Sequence, residues 1–225
     1  MDSYSKGYID ALVDAQSHID GYFFLEESLS PALLDAMQKV CPITPNQDGA
    51  ETLAYVYSHY FLGRRATALA RIDLLNKISQ NFDVTVYTHA DCKDILPTAI
   101  YGGKIDYYDT MPTVFQHSKI NLNITLKTIQ TGIPLRAWDI LGCGGFLLTN
   151  FQQELCDFFI PGEDFVYYES PADAIEKAAY FLSHDRERQE IAHNAFEKIA
   201  ASHTFHHRVQ SMFDIISVSY THLRA

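Results

Sequence analysis

The first 81 residues carry apolar side chains at the spacing of amphipathic helices. Apolar positions recur three or four residues apart in GYIDALVDAQSHI, residues 7–19, and in the long segment 52–82. SPALLDAMQKV, residues 30–40, opens with Ser30 as a cap, and a proline follows in the first turn. Gly63, inside the long segment, predicts a bend or a break between two helices. This part of the chain is therefore predicted to be helical and to contain no strand.

The pattern changes at FDVTVYTH, residues 82–89, where β-branched and aromatic residues alternate with others as in a strand. Further strands are predicted at KINLNIT (119–125), GFLLTN (145–150) and DFVYYES (164–170), with helical patterns between and after them. YGGK, residues 101–104, is predicted to be a turn. Strands that alternate with helices form parallel sheets that helices cover on both faces. The predicted fold class is therefore α/β, with a Rossmann-like parallel sheet preceded by a helical segment.

These changes of pattern divide the chain into three parts. Residues 1–81 are predicted to form a helical bridge, and residues 82–216 a Rossmann-like domain. The closing SVSYTHLRA, residues 217–225, does not extend the preceding helical pattern well. We expect these last residues to be either a frayed tail or a non-native extension of the reading frame.

Composition narrows the class of protein. The 225 residues are 47% hydrophobic, which is enough for a sizeable core. A formal net charge of -11 argues against general nucleic-acid binding, although it leaves room for a local basic pocket. The N-terminus lacks a basic leader and no apolar run has the length of a membrane span, so we predict a cytoplasmic protein. The four cysteines form no CxxC pair, which disfavours a zinc knuckle: Cys41, Cys92, Cys143 and Cys156.

Histidine and asparagine clusters are further candidates. His203, His206 and His207 lie together in SHTFHHR, but no HExxH pattern or cysteine partner accompanies them. We therefore predict capping or packing there rather than a metal site. Asn121 and Asn123 fall on one face of a predicted strand, where buried amides need partners. They either anchor a loop or face a ligand.

PLRAWDILGCGGFLLTN, residues 134–150, is the strongest functional candidate. Arg136 is predicted to lie in the first turn of a helix, where free backbone N–H groups and the helix dipole favour an anion. In the absence of an anion, a cation in that turn is slightly unfavourable. Asp139 lies three residues further on the same face. Its carboxylate either pairs with Arg136 or accepts hydrogen bonds from sugar or ribose hydroxyls.

Two neighbouring features also have two interpretations. Gly142, Gly144 and Gly145 either serve only to end this helix or line a ligand-binding loop. His89, just beyond the first predicted strand, either contacts a ligand or is a solvated strand end.

The order of these motifs resembles a known family. GIPLRAWDILGCGGFLLTN, followed by PGEDFVYYESPADAIEKAAYFLS and HTFHHR, resembles the C-terminal nucleotide-sugar domain of GT-B glycosyltransferases, especially the CgeB-like, spore-maturation type. The upstream GGKIDYYDTMPTVFQHSKINLNIT resembles the segment that precedes the site in that family. The resemblance spans residues 82–215. It implies an enzyme that transfers a sugar from a nucleotide-diphosphate donor to a polysaccharide, lipid or protein acceptor.

The resemblance also implies roles for individual residues. Asp139 matches the acidic position that binds the donor's ribose, while Arg136 and the backbone around Gly132 and Ile133 would neutralise the diphosphate. No metal ion or other cofactor is expected. Many relatives carry a second acidic residue near this site, whereas this chain has Thr131 eight positions before Asp139. The donor-binding candidates are Arg136, Asp139, Thr131, Gly132, Ile133, Gly144, Gly145, Asn123 and His89.

The front of the chain departs from the family pattern. A complete GT-B enzyme has two Rossmann-like domains, and the first holds the acceptor site, whereas here only helical patterns precede residue 82. We therefore expect a donor half with a missing acceptor domain, in which residues 1–81 are a bridge or a remnant of the N-terminal part. No catalytic base is assigned. The alternative is a non-catalytic nucleotide-sugar-binding or structural module derived from the same fold.

Overall fold

The computed structural model describes residues 1–44, 49 and 51–222, with side chains described as far as residue 216. The last three residues of the predicted tail, 223–225, lie outside the described residues. The N-terminal part is helical, as predicted. It consists of α1 (Ser3–Ser17), α2 (Pro31–Val40), α3 (Leu53–Tyr55), a π-helix (Val56–Leu62) and α4 (Gly63–Ser79).

Parallel strands and helices follow. In chain order the elements are β1 (Thr85–Tyr87), β2 (Ile100–Gly103), α5 (Met111–His117), β3 (Asn121–Asn123), α6 (Leu135–Gly142), β4 (Leu147–Asn150), a 3-10 helix (Gln153–Asp157), β5 (Val166–Tyr168), α7 (Pro171–Ser183), α8 (Asp185–Ser202) and α9 (Phe205–His222). β1 pairs with β2, and β3, β4 and β5 form a second sheet in that order. All of these pairings are parallel. The predicted α/β class with a Rossmann-like arrangement is confirmed, although its strands form two small sheets.

Helices cover both faces of the second sheet. Leu147 and Leu148 are adjacent in β4 and therefore point to opposite faces, and both are fully buried. Leu148 packs in a cluster with residues of α4 and α7, whereas Leu147 packs with residues of α6 and α8. Burial on both faces explains why GFLLTN has an apolar run rather than an alternating pattern.

The prediction of a turn at YGGK was wrong, because Ile100–Gly103 forms β2. Glycine is depleted in strands, so the sequence pattern did not favour one here. A Cβ on Gly102 would lie 2.6 Å from Cε1 of Tyr87. The missing side chain therefore lets the Tyr87 ring of β1 lie close against β2.

α4 packs on both sides of the predicted boundary at residue 82. Ala66, near its beginning, and Leu62, directly before it, are buried in the N-terminal helical core. Leu74 and Ile78, near its end, are buried against the three-stranded sheet. One continuous helix thus belongs to two cores, and the domain division remains a prediction.

The helices also differ from the predicted pattern at two places. At Gly63 the π-helix passes directly into α4, so the helix type changes without a break, and the alternative of a bend stays a prediction. A Cβ on Gly63 would collide with Cγ2 of Thr128. The absence of a side chain at Gly63 therefore lets the loop after β3 pack directly against this helix. α9 continues to His222, beyond the predicted helix end. Each residue added to a helix that has already formed gains one backbone hydrogen bond without the cost of a new nucleus. The expectation that residues 217–225 are a tail or a non-native extension stays a prediction.

Candidate functional site

The carboxyl ends of β3, β4 and β5 share one edge of the sheet because the three strands are parallel. Ligands of open α/β sheets bind outside this edge. Residues 124–134 leave β3 there and lead into α6, whose first turn consequently lies at the same edge. Pro134 occupies the cap position of α6 and makes no side-chain capping bond. The first N–H groups of α6 are therefore without a side-chain cap at the edge where ligands bind.

Arg136 lies in this first turn and is exposed. Its Nη1 donates to Sδ of Met111 at 2.7 Å, and its guanidinium lies 5.6 Å from the centre of the Phe115 ring. Both partners belong to α5. Neither carries a negative charge, so these contacts orient the guanidinium without neutralising it.

Asp139 lies one turn further along α6 and is half-buried. Its Oδ2 accepts a hydrogen bond from the Tyr107 hydroxyl at 2.8 Å. This bond raises the pKa of Tyr107, as do burial of the phenol and the negative charge of Asp139, while the positive charge of Arg136 lowers it. The phenol therefore experiences the charges of both candidate residues.

Arg136 and Asp139 do not form the surface ion pair that was one interpretation of their spacing. Among the described side chains, the ion pairs within 4.0 Å do not include this one. Each side chain instead contacts α5 or the segment before it. The guanidinium and the carboxylate are therefore two separate charged groups.

The three loop candidates lie directly before α6. Thr131 and Gly132 are exposed, whereas Ile133 is half-buried and packs on the core between α6 and α8. Gly132 has a φ of 95°, a left-handed conformation that side chains rarely adopt. The glycine thus permits the turn by which the loop enters the helix.

Gly144 and Gly145 are not brought together with Arg136. They follow the last turn of α6 and precede β4, at the amino edge of the sheet. α6 has eight residues, so its two ends lie about 12 Å apart. A Cβ on Gly145 would lie 2.7 Å from Nδ2 of Asn121 and 2.8 Å from O of Phe115. Close packing therefore explains why position 145 holds a glycine.

Asn123 is the last residue of β3 and lies at the carboxyl edge of the three-stranded sheet, whereas His89 lies elsewhere. Asn123 is 6% exposed, and its Nδ2 donates to Oγ1 of Thr125 and Oγ1 of Thr149 at 3.1 and 3.0 Å. Its amide therefore joins the end of β3 to β4, as the loop-anchoring interpretation predicted. His89 is exposed just beyond β1, in the two-stranded sheet.

Sequence reasoning did not select Tyr107, Met111 or Phe115, which supply the contacts of Arg136 and Asp139. Oδ1 of Asp106 accepts hydrogen bonds from the N–H groups of Tyr108 and Asp109, both at 2.8 Å, and these bonds lower the pKa of Asp106. This turn positions Tyr107 in front of α5. The sequence marks this position only by two adjacent tyrosines after an aspartate. It does not indicate that Tyr107 contacts Asp139, which lies 32 residues further along the chain.

On another side of α6, Trp138 packs against His203 and Arg208. The Trp138 and His203 rings lie 5.4 Å apart, and the Arg208 guanidinium lies 5.3 Å from the Trp138 ring. Burial, followed by the positive charges of Arg208 and His207, lowers the pKa of His203. The predicted packing role of His203 is confirmed.

Among the described residues, no group of three or more His, Cys, Asp or Glu side chains is arranged to hold a metal ion.

Lowering the pH should destabilise the fold through His203. Because the pKa of His203 is lower in the folded chain, the unfolded chain binds the proton more readily. The contribution of neutral His203 to the free energy of unfolding is therefore complete above the ordinary histidine pKa of about 6.5. It is lost as the pH falls below that value. Urea unfolding followed by fluorescence of Trp138, the single tryptophan, should show a smaller loss at acid pH for His203→Gln than for the wild type. The exposed neighbour His206, changed to Gln, is the matched control. An unchanged pH profile in His203→Gln would contradict this role.

Fold and site together define an α/β protein in which an arginine and an aspartate lie on one helix beside the carboxyl edge of a parallel sheet. The family model described as "Glycosyl transferase-like" matches residues 64–214, well over half of the chain. The chain belongs to this glycosyltransferase-like family, which supports a GT-B type of glycosyltransferase and, in general terms, a sugar donor and an acceptor. No curated protein and no solved structure matches the chain. Within the described residues, no helix combines the length and apolar character needed to cross a membrane.

Proposed function

We propose that the chain binds a nucleotide-diphosphate sugar at the carboxyl edge of the three-stranded sheet. The observation that carries the proposal is the first part of α6, where the helix has no side-chain cap and Arg136 and Asp139 do not pair with each other. A helix N-terminus with an adjacent arginine suits a diphosphate. A carboxylate one turn away suits two vicinal hydroxyls, because it can accept several hydrogen bonds.

In this proposal each group has a distinct task. Arg136 and the N–H groups of the first turn of α6 neutralise the diphosphate, so the site uses side-chain and backbone charge rather than a divalent cation. Asp139 accepts hydrogen bonds from the ribose hydroxyls. Gly132 lets the backbone before α6 approach the ligand closely, because it has no side chain. We assign no catalytic base.

The family relationship supports the reaction class, and we extend it in two ways. The acceptor is a polysaccharide, lipid or protein, and the subtype is CgeB-like, both inferred from the motif order after residue 82. Thr131, in place of a second acidic residue, favours the alternative of a nucleotide-sugar-binding module without catalysis. Nucleotide binding with no hydrolysis or transfer of any donor sugar would support that alternative.

Calorimetric titration with UDP, GDP, dTDP and ADP tests the proposed site. One of these nucleotides should bind saturably, and Arg136→Ala should weaken its binding about three- to tenfold, because an exposed charge-assisted contact is lost. Arg186→Ala removes the same charge from an exposed position on α8 and should leave the affinity within about twofold. The donor site would be refuted by a chain that is folded by circular dichroism and binds none of the four nucleotides.

A further inference from the structure

A second basic feature lies on α4, next to the loop that leaves β3. An open groove of about 450 Å³ runs along α4 beside Leu126 of this loop. Its lining residues are Arg64, Thr67, Ala68, Arg71, Ile72 and Leu126. Leu126 follows the carboxyl end of β3 by three residues, so the groove opens near the edge of the sheet where ligands bind.

The two arginines of the groove lie seven residues apart, which places them two turns apart on one face of α4. The Arg64 guanidinium lies 5.8 Å from the Tyr60 ring, and the ion pairs of the described residues do not include Arg64 or Arg71. By contrast, the adjacent Arg65 forms an ion pair with Asp10 at 2.6 Å. In a chain with a net charge of -11, two arginines without carboxylate partners on one groove form a local positive patch.

The groove is held in shape by hydrogen bonds to the loop after β3. Arg71 donates from Nε and Nη2 to O of Ile124, at 3.3 and 2.8 Å. Oγ1 of Thr67 donates to O of Gly63 and accepts from N of Lys127. These contacts fix the Arg71 fork and the groove wall before any ligand arrives, which reduces the ordering cost of binding.

The positive charge of the groove is incompletely compensated by the protein. Part of the Arg71 side chain is exposed, but the surrounding protein desolvates its guanidinium and lowers its pKa. The nearby carboxylate of Asp20 is paired with Lys127 at 2.8 Å. Arg71 uses two of its five N–H donors on Ile124, which leaves donors for an anion.

We propose that this groove binds a phosphate group through Arg64 and Arg71. Guanidinium forks match phosphate oxygens in pairs, and partly desolvated arginine is the preferred phosphate partner. Ala68, Ile72 and Leu126 form an apolar wall beside the two charges, against which the rest of a phosphate ester packs. The phosphate comes either from the nucleotide whose ribose lies at Asp139 or from a separate phosphate ester.

Calorimetric titration with inorganic pyrophosphate tests the groove. The full chain carrying Arg136→Ala is the starting protein, so that pyrophosphate binding at the proposed donor site is already weakened and the added substitutions report on the groove. Adding Arg64→Ala should weaken pyrophosphate binding about five- to tenfold, because a charged contact is lost. Adding Arg65→Ala removes the same charge from the next residue, whose guanidinium is paired with Asp10, and should change the affinity by less than about twofold. Arg71 is left intact because it also holds Ile124.

Two outcomes would overturn the groove assignment. One is a starting protein that is folded and binds no pyrophosphate, and the other is an equal loss in Arg64→Ala and Arg65→Ala. Both outcomes are independent of nucleotide binding, so a failure of the groove is distinguishable from a failure of the donor site.

Titration with the preferred nucleotide, which is the one of UDP, GDP, dTDP and ADP that binds the wild type, identifies the source of the phosphate. If Arg64→Ala and Asp139→Asn both weaken binding of this nucleotide, while Arg64→Ala alone weakens pyrophosphate binding, one nucleotide spans the groove and α6. If Arg64→Ala weakens pyrophosphate binding and leaves binding of the nucleotide unchanged, the groove serves a separate phosphate ester. Either result supports the assignment of the groove as a phosphate site.

Discussion

Replacing Asp139 by alanine should weaken binding of the preferred nucleotide about 10- to 100-fold. The proposed ligand contact consists of hydrogen bonds to a charged acceptor, which contribute about 1.5–3 kcal/mol, and 1.4 kcal/mol corresponds to a tenfold change in affinity. The loss should exceed that of Arg136→Ala, because Asp139 is half-buried and Arg136 is exposed. Calorimetric titration at one salt concentration compares the two variants directly. If the Asp139→Ala chain bound the nucleotide as tightly as the wild type, the proposal that Asp139 binds the ribose would be wrong.

Tyr107 provides a test with the opposite sign at the same carboxylate. Its hydroxyl donates to Oδ2 of Asp139 at 2.8 Å and so competes with ribose hydroxyls for an acceptor oxygen. Tyr107→Phe should therefore tighten nucleotide binding about two- to tenfold. Tyr108→Phe is the matched control, because Tyr108 is adjacent and 83% exposed. If Tyr107→Phe weakened binding as much as Asp139→Ala does, the phenol would be a ligand contact rather than a competitor.

Gly145→Ala should lower the free energy of unfolding by about 1–3 kcal/mol, which is the usual range for overpacking a core. The added Cβ would lie 2.7 Å from Nδ2 of Asn121, 2.8 Å from O of Phe115 and 3.2 Å from Cγ2 of Ile140. The Phe115 oxygen belongs to the backbone of α5, so it cannot move aside as a flexible side chain would. The new methyl group would also displace Asn121, whose Nδ2 donates to O of Phe115 and O of Phe146. Urea unfolding measured by Trp138 fluorescence gives the change.

Two other glycines are controls for this result. Gly144 has a φ of 72° but open space around its Cβ position, so Gly144→Ala should cost only the backbone strain, about 1 kcal/mol. Gly7, on the exposed side of α1, has open space and a helical backbone, so Gly7→Ala should stabilise the chain by up to about 1 kcal/mol. The expected order of stability is Gly7→Ala, Gly144→Ala, then Gly145→Ala. A different order would show that close packing is not what requires glycine at position 145.

The sequence by itself determined the helices and most of the strands. Ser30 caps α2 as its pattern predicts, because a side-chain oxygen next to an orphan N–H is a local relationship. The apolar run of β4 likewise predicted a buried parallel strand. Arg136 and Asp139 lie on one helix, so their shared face followed from helical spacing alone. The family resemblance rested on the same local motifs, and the family match confirms the glycosyltransferase class.

Only the tertiary structure decided which of these residues meet and which do not. Tyr107 reaches Asp139 across 32 residues, and no local pattern encodes that pairing. Gly144 and Gly145 are near Arg136 in sequence, but a helix of eight residues carries them to the opposite edge of the sheet. Arg64 and Arg71 look like ordinary charges of an amphipathic helix until the loop after β3 folds against them and forms a groove. Contacts within one element depend on spacing along the chain, whereas contacts between elements depend on packing, and the packing of α5 and of the β3–α6 loop shapes both proposed sites.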